Sequence, residues 1–450
     1  MSKPTVPTQL LAKSWSDRWH ARRRSVSALV DNLVFVFSGI AALWLAWLVL
    51  SEGFTWGWYL APFFVLFWLV LAYLVLPRLH RILTSIYVPD YFIGRARTSD
   101  GLLGDPINLA VLGTEAQLHE AMTRAGWIRA DEITLASSRR IITSTIFRRS
   151  YDEAPVSPLL LFGRQQDLAY QQEVEGNPAK RHHVRFWRCP EGWMLPGGHT
   201  AEWLAAGTFD RAVGFSLFTL QITHKIDADT DTERDHIVAT LVDCVDEVEV
   251  RVIEDFSTGY HSRNGGGDTI ETDGDLPVLD LRPVKIPANG NPLGPDLETR
   301  RAARAARRPV STSLGVLLMV IRVVVGAISV AMIVGDRGEI IKSAASSVSA
   351  DEAQVLDVFL AVVSAVFAVT VALYLLLTFL VFRGSNWARN AAMAFSAVLV
   401  VLSALAIVQG EAITLGNSLF GLPLDILVLL ALSARSSRLW ARRDSSPITR

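Results

Sequence analysis

The run Arg181-His182-His183-Val184-Arg185-Phe186-Trp187 carries the densest polar chemistry of this 450-residue chain. Read as a strand, its side chains alternate between two faces. His182, Val184 and Phe186 share one face, and His183, Arg185 and Trp187 the other. A second strand candidate places Ile222, His224 and Ile226 on one face and Thr223, Lys225 and Asp227 on the opposite one. If the two strands are neighbours, His182 and His224 enter one layer, and His183, Arg185, Lys225 and Asp227 another. Imidazoles can serve as general acid and base, and a guanidinium can clamp an anion. His183, Arg185, His224 and Asp227 are therefore the candidate catalytic set, with His183, Arg185 and His224 expected close together. His183, His224, Asp210 and Asp235 are ligand types that suit a metal, but neither HExxH nor zinc-ribbon spacing is present, so neither metal nor cofactor is assigned. The bland reading is a buried hydrogen-bond network that orders the sheet.

The elements that position these residues follow from periodicity. A short strand is expected at Ile107–Leu112, then a helix capped by Thr114 and ending at Gly126. A second helix is expected over Ile133–Arg149. Leu159–Leu161 and Asp167–Gln172 read as extended. His182–Arg188, Glu202–Phe209 and Leu220–Asp227 read as strands, Thr230–Val245 as a helix and Val248–Ile253 as a last strand. The mixture implies an α/β (α+β) layered domain with a largely antiparallel sheet. Cys189 and Cys244 stand far apart in no CxxC pattern, so no disulfide framework is indicated and a reducing cytosol suits them. Gly265-Gly266-Gly267 has no GK[ST] after it and reads as linker.

Flanking this domain, the composition changes. Half of all residues are hydrophobic, and mean hydropathy is +0.31. Apolar runs of about 20 residues suffice to cross a bilayer. Two spans are expected near the N-terminus, Leu33–Leu50 and a second ending near Leu76. Four more follow, at Leu314–Val334, Val355–Phe382, Ala391–Val408 and Leu419–Ala434. The organisation is then a cytoplasmic segment 1–32, a transmembrane hairpin 33–76 and a domain 77–258. A loop-rich linker with a basic run covers 259–312, four spans cover 313–434, and a basic tail covers 435–450. Basic residues concentrate in the segments that six spans place on one side, so both termini and the domain are expected to be cytoplasmic. The bilayer is the expected partner, and the run Arg300–Arg308 could meet anionic lipid head groups. A net charge of −1 gives nucleic-acid binding no support. Arg322 and Asp425 fall inside two spans at equal depth, about 13 Å from the cytoplasmic side at 1.5 Å per residue, and are expected to pair; the alternative is that Arg322 snorkels towards the cytoplasm and Asp425 lies in a wet break after Pro423.

Several ordered motifs resemble the LssY C-terminal domain family. They are Gly104-Asp105-Pro106-Ile107-Asn108, Ala125-Gly126-Trp127, Pro155-Val156-Ser157-Pro158, Phe162-Gly163-Arg164-Gln165-Gln166-Asp167 and the histidine run itself. Asp210-Arg211-Ala212-Val213-Gly214, Ile222-Thr223-His224-Lys225-Ile226-Asp227 and Glu233-Arg234-Asp235 follow. The resemblance covers about Gly104 to Val242. Within these motifs Arg164, Asp167, Asp210 and Lys225 are the candidate ligand-binding residues. Lys225 stands where the family often has a second histidine. Namesakes of the family can carry a lipid-phosphatase region, but its Ser-Gly-His and distant Arg–His–Asp set are not found here. The resemblance implies a membrane-anchored bacterial protein, and with the basic-segment pattern the expectation is an inner-membrane protein with a cytoplasmic domain. Two functions are open: binding or hydrolysis of a phosphorylated or lipidic ligand, and a non-catalytic sensor or partner-recruiting module. A pocket lined by His183, Arg185 and His224 would favour the first, a filled interior the second.

Overall fold

A computed structural model describes residues 26–56, 61–88, 92–98, 101–131, 156–174, 177–216, 219–257, 263–287, 295–344, 350–410 and 421–443. The helix expected over Ile133–Arg149 lies outside them. The chain divides into two compact units, Trp68–Arg300 and a second formed by Met1–Phe67 with Arg301–Arg450.

Helix α1 (Val26–Trp56) is followed by α2 (Ala61–Val70), which passes through a single π turn, Leu71–Val75, into α3 (Leu76–Tyr87). The second span was expected to end near Leu76, at Pro77. Instead the helix runs on. Pro77 falls in the first turn of α3, where a missing N–H is tolerated, and the π turn before it absorbs the misfit of the ring.

The described residues of the unit Trp68–Arg300 form two sheets. Strands β1 (Arg95–Thr98), β2 (Leu103–Pro106), β5 (Leu159–Leu161) and β6 (Arg164–Gln165) form an antiparallel sheet in the order β2-β1-β5-β6. The larger sheet takes β3 (Leu109–Leu112), β4 (Ile128–Arg129), β7 (Leu168–Val174), β8 (Asn177–Arg188), β9 (Trp203–Phe215), β10 (Ile222–Ile226), β11 (Glu249–Ile253) and β12 (Leu276–Asp280). Its order is β11-β12-β3-β9-β8-β7-β4, with β10 also on β9. Every pairing is antiparallel except β12 with β3. Strand β9 is long enough to hold two strands along one edge: β3 pairs with Trp203–Ala205 and β10 with the stretch from Asp210 to Phe215.

Helices α4 (Glu115–Arg124) and α5 (Thr230–Cys244) cover one face of the large sheet. Thr114 caps α4 through a full capping box with Gln117, and Asp229 caps α5 by accepting from Asp231 and Thr232 N–H. Their apolar sides meet Tyr170, Val184, Phe186, Trp203 and Ala205. A Cβ at Gly207 would come within 2.3 Å of Ile237 Cδ1, so the absence of a side chain there lets α5 lie close on β9. The opposite face packs Trp187, Leu204 and Ala206 against Leu159 and Leu161 of the small sheet.

One boundary differs from the sequence expectation. The segment after 258 was expected to be linker, yet β12 lies inside the large sheet between β11 and β3. The glycine run belongs to this packing too: Gly265 N–H donates to Leu103 O, and Ser216 Oγ donates to Gly266 O.

After α6 (Leu297–Ala306) come α7 (Val310–Ala344), α8 (Ala350–Arg383), α9 (Asn386–Val408), α10 (Gly421–Leu432) and α11 (Arg435–Ala441). Among the described residues five helical segments are long and apolar enough to cross a membrane: Leu29–Ser51, Phe64–Thr84, Leu297–Ser343, Asp351–Arg383 and Asn386–Val408. Of the expected sixth, the described residues hold α10, 12 residues or about 18 Å long. It is buried along nearly its whole length among α1, α7 and α9.

Candidate functional site

Strand β8 shows the alternation expected of it, and its two faces do different things. On the face towards the small sheet stand Arg181, His183, Arg185 and Trp187. Arg185 Nη1 donates to Asp105 Oδ2 at 2.7 Å, and its Nε donates to Ser157 O. Asp105 comes from β2, so this pair joins the two sheets. Arg181 Nε donates to Asp210 Oδ2 at 3.1 Å and its Nη1 to Gln171 Oε1. His183 Nε2 lies 2.7 Å from Thr208 Oγ1, and its Nδ1 lies 3.6 Å from Asp210 Oδ2. These side chains come from adjacent positions: β9 presents Thr208 opposite His183 and Asp210 opposite Arg181.

All of them are buried, with His183 only 2% exposed. Burial pushes the Asp105 carboxyl above the usual carboxylate range, and the facing Arg185 opposes that shift. Burial likewise lowers Arg185, against the pull of Asp105. The result is an internal network of groups that face one another.

The helix-side face carries a second group that sequence reasoning passed over. His182 Nδ1 lies 2.6 Å from Glu233 Oε2 on α5, and its ring stacks on His236 at 4.1 Å between centroids. His236 Nε2 reaches Gln172 Oε1 at 3.4 Å. Here His182 keeps 23% of its side chain exposed while Glu233 keeps 2%. Burial raises Glu233, opposed by the hydrogen bond from His182. Burial, and then the neighbouring His182, lower His236. A carboxylate that fixes one imidazole nitrogen leaves the other to accept or deliver a proton.

The remaining expected site residues disperse. Strand β10 is not a neighbour of β8, because β9 lies between them. His224 pairs with Val213, whereas His183 pairs with Thr208. At roughly 3.3 Å per residue that separates their positions by about 16 Å along β9, before any strand spacing is added. The register therefore does not bring His183, Arg185 and His224 together as expected; the His224 side chain itself lies outside the described residues. The β9–β10 register shifts between Lys225 and Ile226, where β9 carries one extra residue, Arg211, between Ala212 and Asp210. Lys225 sits opposite Ala212 and pairs with Asp268 at 2.9 Å, while Asp227 N–H donates to Phe209 O. Asp167 accepts from Arg188 N–H at 2.9 Å, and Arg164 donates to Arg188 O, so both bind backbone. Asp235 is exposed and pairs with Arg234. Among the described residues no three His, Cys, Asp or Glu side chains gather as a metal site would require.

Motif residues outside the candidate list hold the frame. Asn108 accepts Gly207 N–H and donates to Gly207 O and Thr230 O, tying β9 to the start of α5. Asp105, Arg181 and Thr208 were the main omissions. Arg181 continues the alternation of His183 and Arg185 and was legible that way; Asp105 gave no local signal.

Among the apolar helices, Arg322 Nε lies 3.4 Å from Asp425 Oδ2, and Ser396 Oγ donates to Asp425 Oδ1 at 3.3 Å. A second pairing was not anticipated: Asp31 on α1 accepts from both Arg389 on α9 and Arg442 after α11, and Arg389 Nη1 also donates to Leu432 O at 2.9 Å. Of the basic run, Arg300 pairs with Glu115, and Arg308 lies 3.7 Å over the Phe382 ring.

Residues 85–276 match the family model described as LssY C-terminus, which extends the resemblance at both ends. No curated protein and no solved structure matches the chain.

Proposed function

We propose, from the premise that residues 85–276 are an LssY C-terminal domain, that this chain is a multi-pass membrane protein whose domain works as a non-catalytic sensor or partner-recruiting module on the cytoplasmic side. The observation that carries this is the burial and mutual pairing of Arg185, Asp105, Arg181, Asp210 and His183. Groups that must meet a substrate need an approach, and these face each other instead. The apolar helices and the basic segments between them support the membrane setting and the orientation. The bilayer is then the first partner, with anionic head groups beside the run Arg300–Arg308 as a further one.

One observation favours the rival reading, hydrolysis of a phosphorylated or lipidic ligand. The part-exposed His182, held by buried Glu233, has the arrangement of a general base. Two variants of the full-length protein separate the readings. Under the non-catalytic reading, Arg185→Met lowers the unfolding temperature, and His182→Gln leaves hydrolysis of phosphomonoester and phospholipid substrates at background for both variant and parent. Hydrolysis by the parent that His182→Gln abolishes at unchanged unfolding temperature overturns it.

A further inference from the structure

The π turn of the second apolar helix leaves one carbonyl in need of a donor. Within it Leu76 N–H donates to Leu71 O, five residues back. The next bond of that pattern would run from residue 77 to Ala72 O, and Pro77 has no N–H to give. Gln221 supplies the donor: its Nε2 meets Ala72 O at 2.7 Å. One helical turn earlier, Trp68 Nε1 donates to Leu220 O at 3.0 Å, and the Trp68 ring lies 6.5 Å from that of Phe215. The connection between β9 and β10 is thus fastened at two points to a stretch inside the 21-residue apolar segment Phe64–Thr84. Leu220 holds a left-handed φ of 55°, which a non-glycine residue adopts only where its surroundings enforce it.

The surface of this helix is reversed with respect to a helix in water. Leu79, Leu83 and Ile86, spaced to share one face, are exposed, and Arg78, His80 and Thr84 are buried. Leu69 and Tyr73 extend the exposed apolar surface up the helix. Phe215, 47% exposed, adds to it from the hairpin. Water disfavours such a surface and acyl chains do not.

We infer that the β9–β10 hairpin dips into the bilayer beside this helix, so that the domain carries a membrane-inserted element of its own. Its partner is the acyl-chain region of the lipid. Ala72 stands six residues before Arg78, which sets the contact about 9 Å inside the basic end of the helix at 1.5 Å per residue. This rests on Phe64–Thr84 crossing the membrane, and the test separates the two statements.

Full-length protein carrying Cys189→Ser and Cys244→Ser receives one new cysteine at a time: Phe215→Cys, Thr219→Cys, Tyr73→Cys or Glu191→Cys. Each is labelled with an environment-sensitive fluorophore and reconstituted into phosphatidylcholine–phosphatidylglycerol vesicles, with or without acyl chains brominated near the head group. Glu191 is exposed and lies near Trp203, at the far end of β9 from Phe215, about 40 Å away at roughly 3.3 Å per residue. The expected result is loss of most emission at Tyr73, Phe215 and Thr219 and none at Glu191. Quenching at Tyr73 with full emission at both hairpin positions overturns the inference and leaves the spanning helix standing. Full emission at Tyr73 as well removes the spanning helix and the inference with it. Thr219→Cys keeps the test decisive if Phe215→Cys does not fold.

Discussion

The ion pairs of the sheet domain and those among the apolar helices use the same side chains, arginine and aspartate, yet the two regions bury them differently. In the domain, partners stand on adjacent strands or on the covering sheet, and polar neighbours take up the remaining valences: Ser157 O, Gln171 and Thr208 all take part. Among the helices the partners are far apart in sequence, Asp31 with Arg389 and Arg442, Arg322 with Asp425. The first arrangement orders one layer against another. The second ties the ends of the chain into a single bundle. Exposure adds a further contrast, since Arg389 keeps 2% of its side chain exposed and Arg322 keeps 25%.

Breaking the domain pair has the largest expected effect. Arg185→Met strands Asp105 in the interior and lowers the stability of the full-length protein by about 3–5 kcal/mol, read by denaturant unfolding. Adding Asp105→Leu recovers most of that loss, because neither charge is then left alone. A loss below about 1 kcal/mol would show the pair to be as weak as an exposed one. Asp31→Asn comes next. Arg442 can turn to water but Arg389 cannot, so a loss of about 1.5–3 kcal/mol is expected, the range for hydrogen bonds to charged groups. Thermal unfolding in detergent measures it, and an unchanged midpoint would remove Asp31 as a tie. Asp425→Asn has a smaller effect, about 1 kcal/mol, as for interhelical polar contacts in membranes. Exchanging the charges, Arg322→Asp with Asp425→Arg, recovers part of it; no recovery would mean the two do not act as a pair.

The smallest effect is a pH dependence on the other face of β8. Burial and His182 hold His236 below its ordinary 6.5 in the folded state. The unfolded chain therefore takes up this proton first as pH falls. Stability from His236 is present above pH 6.5 and is lost as pH falls through the lowered value. His236→Gln should flatten the fall of unfolding temperature in that window, and an unchanged slope in the variant would assign the dependence elsewhere.

Local patterns were legible. Alternation along His182–Trp187 assigned both faces of β8, and the Thr114 cap and the helix beginning at Thr230 were readable from their first turns. Long apolar runs located the helices, though α10, which reads as a span by composition, is enclosed by its neighbours. Longer-range features were not legible. No short-range signal places β9 between β8 and β10, and that placement separates His183 from His224. Asp105 and Asp31 acquire their roles from partners that only the fold supplies. Strand β12 escaped because Pro277 and the flanking turns mask an apolar stretch that is buried almost throughout.

That strand also sets a timetable for synthesis. Ala110 of β3 pairs in parallel with Val278 of β12. At about 5–20 residues per second the ribosome reaches Val278 on the order of ten to thirty seconds after Ala110. Throughout that interval the β3 edge that β12 later covers has no partner from its own chain. The nascent domain waits with an open edge while the two N-terminal apolar helices are already made, so its closure is a late event, bound to the arrival of its last strand.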